Sequence, residues 1–132
     1  MDWVYQGKTF TEDDIGDNIG FVYLITNNIS GKKYIGKKLF TFAKTKQIKK
    51  KRKKIRVSSD WISYYGSNKV LQEDVEKLGD GLFSREILYL CKSKGSANYL
   101  EAREILKNDA IISDFWYNEW LSVKVSKSQI KL

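Results

Sequence analysis

The sequence predicts an α+β fold, a small three-stranded antiparallel sheet flanked by helices. Three observations predict it. A β-hairpin pattern runs from Gly20 to Gly36, a further apolar strand covers Phe83 to Leu90, and a stretch with helical spacing precedes that strand and another follows it. The 132 residues fit a single domain, 1–132, around one core.

The hairpin is the clearest element. Gly20 opens the run Phe21-Val22-Tyr23-Leu24-Ile25, which is β-branched and aromatic and stops at Asn27-Asn28. Residues 28–32 (NISGK) suit a turn, and Lys33-Tyr34-Ile35-Gly36 reads as a second short strand. Two strands joined by a short polar turn make a hairpin. Beyond it, Gly66 and Ser67 suggest a turn and a helix cap. Val70, Leu71, Val75 and Leu78 recur at helical spacing, and Gly79 stands where a helix-ending glycine belongs, so residues 68–78 predict a helix. Gly79-Asp80-Gly81 is a loop before the third strand. Ser93 or Ser96 then caps a second helix, from Ala97 to about Asn108.

The two ends are less periodic. Residues 1–19 hold Trp3, Tyr5 and Phe10, then the acidic run Glu12-Asp13-Asp14, and read as a short strand or extended cap with its aromatics on the body. The segment from Ile111 to Val125 contains Phe115, Trp116, Tyr117 and Trp120. Its later half predicts a short helix or strand that closes the core.

Composition narrows the chemistry. Hydrophobic residues make up 42% and aromatics 14%, enough for a packed interior. The single cysteine, Cys91, has no internal partner, which favours a reducing, cytoplasmic setting. It follows Ile87-Leu88-Tyr89-Leu90 and reads as a small buried hydrophobe. Histidine is absent, which excludes imidazole metal sites, histidine general bases and the usual zinc fingers. Acid–base work falls to Tyr, Lys, Asp or Glu. The first residues lack a signal-peptide pattern, and no run approaches the roughly 18 apolar residues of a membrane helix, so no membrane partner is expected.

The positive charge is local. The net charge is +8, from 24 basic and 16 acidic residues. The segment from Lys44 to Arg56 holds nine of the basic residues and no acid. The remaining 15 basic residues almost balance the 16 acids, so one segment within a 41–58 insertion sets the protein's basic character. Such a run repels itself and should project into solvent. Lys44, Lys46, Lys49, Lys50, Lys51, Arg52, Lys53 and Lys54, with Lys37 on the preceding strand, are the expected nucleic-acid contacts, because lysine and arginine displace counterions from phosphates. Phosphate contacts alone position a protein without reading bases. An acidic protein is the competing partner.

Gly20-Phe21-Val22-Tyr23 followed by Tyr34-Ile35-Gly36 resembles the paired triplets of the GIY-YIG nucleases. The order of later features is similar too. Leu100-Glu101-Ala102-Arg103-Glu104-Ile105 matches the context of that family's metal-binding glutamate, and Tyr117-Asn118 its Tyr-Asn pair near the site. The helix at 68–78, Gly79, Phe83 and Ile87-Leu88 fall between them as in the family. The N-terminal cap, the basic insertion and Tyr64-Tyr65-Gly66-Ser67 resemble its phage-type, homing-endonuclease branch.

The resemblance implies a DNA endonuclease with Tyr23, Tyr34 and Glu101 as catalytic residues. Glu101 would bind Mg²⁺ or Mn²⁺, and the host-cell cytoplasm would be the setting if a phage encodes it. Tyr65, Ser67 and Asn118 are expected to be structural residues beside the site. The chain departs from the pattern where the family has an arginine and then a histidine after the second triplet. Arg56 and Lys38 are the candidate cations, with Lys37 beside them. Tyr64, Tyr65 or a lysine could take the histidine's role. A tyrosine acting as a base at neutral pH needs a hydrogen bond or a neighbouring cation, because free phenol titrates near pH ~10. One nuclease centre cuts one strand at a time, so double-strand breaks would need a homodimer or sequential nicking. The basic arm, the N-terminal cap, dimerisation or a separate partner could supply specificity.

Overall fold

A computed structural model describes residues 1–132, the side chain of Ile48 excepted. The elements are β1 (Trp3–Tyr5), β2 (Lys8–Thr9), β3 (Gly20–Asn27), β4 (Lys33–Leu39), β5 (Thr41–Ile48), β6 (Lys51–Ser58), α1 (Lys69–Leu78), β7 (Phe83–Cys91) and α2 (Lys94–Lys107). The α+β class and the order of the main elements follow the sequence reading.

The sheet is larger than expected. The predicted antiparallel strands are present as β7-β3-β4, but they belong to a five-stranded mixed sheet ordered β2-β1-β7-β3-β4. The extra strands come from the N-terminal cap. Trp3, Val4 and Tyr5 pair in parallel with Arg85, Glu86 and Ile87, and the chain folds back as β2. Burial of Trp3, 2% exposed, drives this docking, and its indole N–H donates to the Trp61 carbonyl at 2.8 Å.

Alternation along β3 sorts its side chains onto two covered faces. Phe21, Tyr23 and Ile25 join Trp3, Phe10, Phe40, Trp61 and Leu71 in one aromatic cluster. Val22 and Ile35 join Cys91 and the α2 residues Ala97, Leu100 and Ile105 in the other. Burial pushes the Cys91 thiol up to about 11, which keeps it an unreactive core group.

The helices differ slightly at their starts. Asn68, not Ser67, caps α1, its side-chain oxygen accepting the Leu71 N–H at 2.9 Å. Ser93 caps α2, which begins at Lys94 rather than Ala97.

The basic insertion is solvent-exposed, as its charge predicts, and it is regular: β5 and β6 pair along their whole length as a separate two-stranded ribbon. Phe42, Ile55 and Val57 give its base a shared apolar side, and Lys49-Lys50 form a two-residue turn with φ of 50° and 63°. The segment after Ile111 supplies neither a closing helix nor a strand. Trp116 makes only a lone parallel bridge to Lys33, and residues 118–126 have no regular structure. Its packing goes into clips instead. Asn118 holds both backbone groups of Ile35, and the Tyr117 hydroxyl joins Asn27 and Asp74.

Candidate active site

The candidate site lies at β4, the edge strand of the sheet. Tyr23 stands opposite Gly36, and Tyr34 stands opposite Ile25, so the two tyrosines are diagonal neighbours on one face. Their ring centroids are 6.2 Å apart. A Cβ on Gly36 would collide with the Tyr23 phenol, so this position of the second triplet must be glycine. Tyr23 is fully enclosed, with the Tyr64 ring at 6.0 Å on one side and Trp3 at 5.3 Å on another. Tyr34 is the open member of the pair, and its hydroxyl shares a hydrogen bond of 3.0 Å with Ser67 Oγ.

Glu101 reaches the same edge from α2. Ala97 and Ile105, one turn to either side, are buried and fix that helix face against the sheet. Tyr34, Ser67, Glu101, Lys37 and Asn118 line one open cavity of about 220 Å³. Lys37 Nζ lies 3.7 Å from a Glu101 carboxylate oxygen and also donates to Asn98. Burial raises the Glu101 carboxyl above its usual range, and Lys37 opposes that rise. Glu104 goes elsewhere. It accepts from Tyr89 Oη at 2.6 Å and from Asn108, which makes it a core-fixing residue.

The cations divide. Lys38 lies at Tyr64, which packs on Tyr23. Its ammonium sits 4.1 Å from the Tyr64 ring centroid and pairs with Asp60 at 2.6 Å, drawing that carboxyl below its usual range. Arg56 lies on the ribbon, and its guanidinium donates back to the hydroxyl and carbonyl of Thr41. The structure therefore brings together Tyr23, Tyr34, Lys37, Lys38, Glu101, Ser67 and Asn118, but not Arg56. Lys44, Lys46, Lys49, Lys50, Lys51, Arg52, Lys53 and Lys54 all line the ribbon and its tip. Tyr65 stacks on Arg85 at 4.2 Å and its hydroxyl meets the N-terminus, so it braces the loop before α1.

Neither tyrosine is poised as a phenolate. Burial, reinforced by Tyr64 and Tyr34, raises Tyr23 well above the ordinary phenol range. Burial also raises Tyr34, against the hydrogen bond from Ser67. The expected cation that lowers a tyrosine pKa is thus not what the geometry supplies.

The match to known proteins is specific. A family model described as "Putative endonuclease segE, GIY-YIG domain" matches residues 3–121. The chain belongs to the GIY-YIG family. A protein of the same segE description from Enterobacteria phage T4 is 36% identical over 100 residues, covering 74% of this chain. The chain spans 39% of that relative's length. No solved structure gives a significant match. In this GIY-YIG chain the first triplet is Phe-Val-Tyr, and the structure puts its tyrosine where the glycine of the second triplet makes room.

Two site residues escaped the sequence reading. Asn98 precedes Glu101 by three residues, which places it on the same helix face, where it holds Lys37. Lys94, one turn earlier, lies with Lys37 and Lys38 on a neighbouring cavity of about 350 Å³. Helical spacing counted back from Glu101 would have found both.

Among the described residues no three His, Cys, Asp or Glu side chains group together around a metal position. Glu101 still fits a hard divalent ion. Its carboxylate borders an open cavity of mixed polarity and only Lys37 contests it, and Mg²⁺ often uses one or two protein carboxylates with water completing its shell. No helix among the described residues is long and apolar enough to cross a membrane.

Proposed function

We propose that this chain is a metal-dependent endonuclease that hydrolyses phosphodiester bonds in DNA. The observation that carries this is the convergence of Tyr34, Ser67, Lys37 and Glu101 on one cavity in a chain of the GIY-YIG family.

Glu101 would hold Mg²⁺ or Mn²⁺, with water and phosphate oxygens as the remaining ligands. When bound, that ion would stabilise charge developing on the phosphate. The protein's own groups do the positioning. Lys37 and Lys38 neutralise phosphate oxygens beside the site. Tyr34 works as a neutral phenol, orienting the attacking water or a phosphate oxygen while Ser67 fixes its hydroxyl. Tyr23 holds the floor against Gly36 and keeps Tyr34 and Tyr64 in place. With no histidine in the chain, water, phenol or amine carries the protons.

The test is a supercoiled plasmid digest with and without Mg²⁺, run beside Glu101→Ala. Nicking that needs Mg²⁺ or Mn²⁺ and disappears in Glu101→Ala is the expected result. Full activity in a chelator, or in Glu101→Ala, overturns it. The Lys37–Glu101 ion pair motivates a second reading, in which the fold binds DNA without cutting. Salt-sensitive DNA retention with no cleavage under either metal would favour that reading.

A further inference from the structure

The ribbon has two chemically different faces. Directly opposed residues of an antiparallel pair project from the same side. Thr45 faces Lys54 and Gln47 faces Arg52 on one side, while Lys44 faces Ile55 and Lys46 faces Lys53 on the other. The second side is apolar at its base, where Ile55 and Val57 are half-buried beside Phe42, and lysine-rich beyond. The first side also carries Ala43 and Arg56 and is mixed along its length. Neither strand contains an acid.

The mixed set suits base edges. Arginine forms two parallel hydrogen bonds with guanine, glutamine does so with adenine, and the methyl groups of threonine or alanine meet that of thymine. Lysines suit phosphates as point charges. The dimensions agree. Eight-residue strands rising roughly 3.3 Å per residue give a ribbon about 26 Å long, and the major groove of B-DNA, about 12 Å wide, admits a two-stranded ribbon. The deep, narrow major groove of A-form RNA does not. The tip adds an independent sign. A turn with both φ values positive suits Asn-Gly, yet two lysines occupy it, so the ribbon keeps charge at its leading end despite backbone strain. At its base, Phe42 borders the cavity that carries Lys37, Lys38 and Lys94, so the cationic surface continues towards Glu101.

We propose that the β5–β6 ribbon reads sequence in the major groove of double-stranded DNA, with Thr45, Gln47, Arg52 and Lys54 on the bases and Lys46 and Lys53 on phosphates. This goes beyond the expectation of phosphate contacts along the basic segment. It rests on the preceding reading only in taking DNA as the ligand.

The experiment selects bound duplexes from a randomised double-stranded DNA library with the full chain, in chelator, at two salt concentrations. The expected result is a base preference that Gln47→Ala, which keeps every charge, reduces at one position by roughly five- to hundredfold, with the salt dependence unchanged. Lys53→Ala weakens all sequences alike and lowers the salt slope by about 1. A wild-type chain with no base preference overturns the proposal. So does a Gln47→Ala variant that keeps the full preference, or A-form RNA that competes equally for the selected sites. Because binding is read without metal, the two readings fail separately. Selection without cleavage overturns only the nuclease reading, and cleavage without selection overturns only this one.

Discussion

The backbone of Gly36 lies directly against the phenol of Tyr23, with no room for a methyl group between them. Gly36→Ala must displace the Tyr23 ring or the β4 edge, and overpacking of this kind costs roughly 1–3 kcal/mol. Thermal denaturation should show that loss, and nicking should fall with it. Gly81→Ala is the matched control, because a methyl there meets nothing and should leave both readouts unchanged.

The raised tyrosines fix a pH dependence. A phenol whose folded pKa exceeds its unfolded value stabilises the fold fully below about pH 10. That contribution is lost as pH rises through the unfolded value towards the higher folded one. Native protein should therefore show late-ionising tyrosine in an absorbance titration, released on denaturation. Tyr23→Phe should remove part of the alkaline loss of stability. Early ionisation of Tyr34, whose phenol burial also raises, would contradict its neutral-phenol role.

Arg85 is 5% exposed and clamps three carbonyls, those of Met1, Ile62 and Tyr64. It also lies between the rings of Trp3 and Tyr65, at 4.5 and 4.2 Å. Arg85→Lys keeps the charge but loses the planar fork, so some of these carbonyls lose their partner. Denaturant unfolding should report a loss of about 2 kcal/mol, given the usual cost of stranding buried polar groups. Hydrogen exchange should rise first over residues 61–65.

The tip turn predicts opposite changes in two measurements. Lys49→Asn with Lys50→Gly relieves the left-handed backbone, which costs non-glycine residues roughly 1–2 kcal/mol each. The ribbon should then resist proteolysis longer. On the proposed reading its affinity for DNA should nevertheless fall, because two charges that would meet phosphates are gone.

Much of this was legible where one local signal dominated. The Gly20–Ile25 run, Gly79 and the apolar spacing of Val70, Leu71 and Val75 each placed an element, and the two triplets with Glu101 pointed to the candidate site. The rest depended on distant partners. Trp3-Val4-Tyr5 is too short for a period, and only pairing with Arg85, Glu86 and Ile87 makes it a strand. The ribbon was masked because lysine, a weak strand former, occupies both of its faces. Arg85 was overlooked although alternation in β7 sets it between Phe83 and Ile87 on the inward face. A charge at an inward position was the available sign.

Between β4 and the ribbon stands a single residue, Phe40, completely buried and stacked on Phe21 at 4.7 Å and Phe10 at 5.7 Å. The site strand and the ribbon are thus one continuous stretch of chain gripped at a fixed point. That arrangement acts as a gauge. Adding two residues to each ribbon strand advances the tip about 7 Å without shifting Tyr34 or Lys37, roughly two base-pair rises along a duplex. The spacing between the position recognised and the position cut would then be set by ribbon length, counted from Phe40.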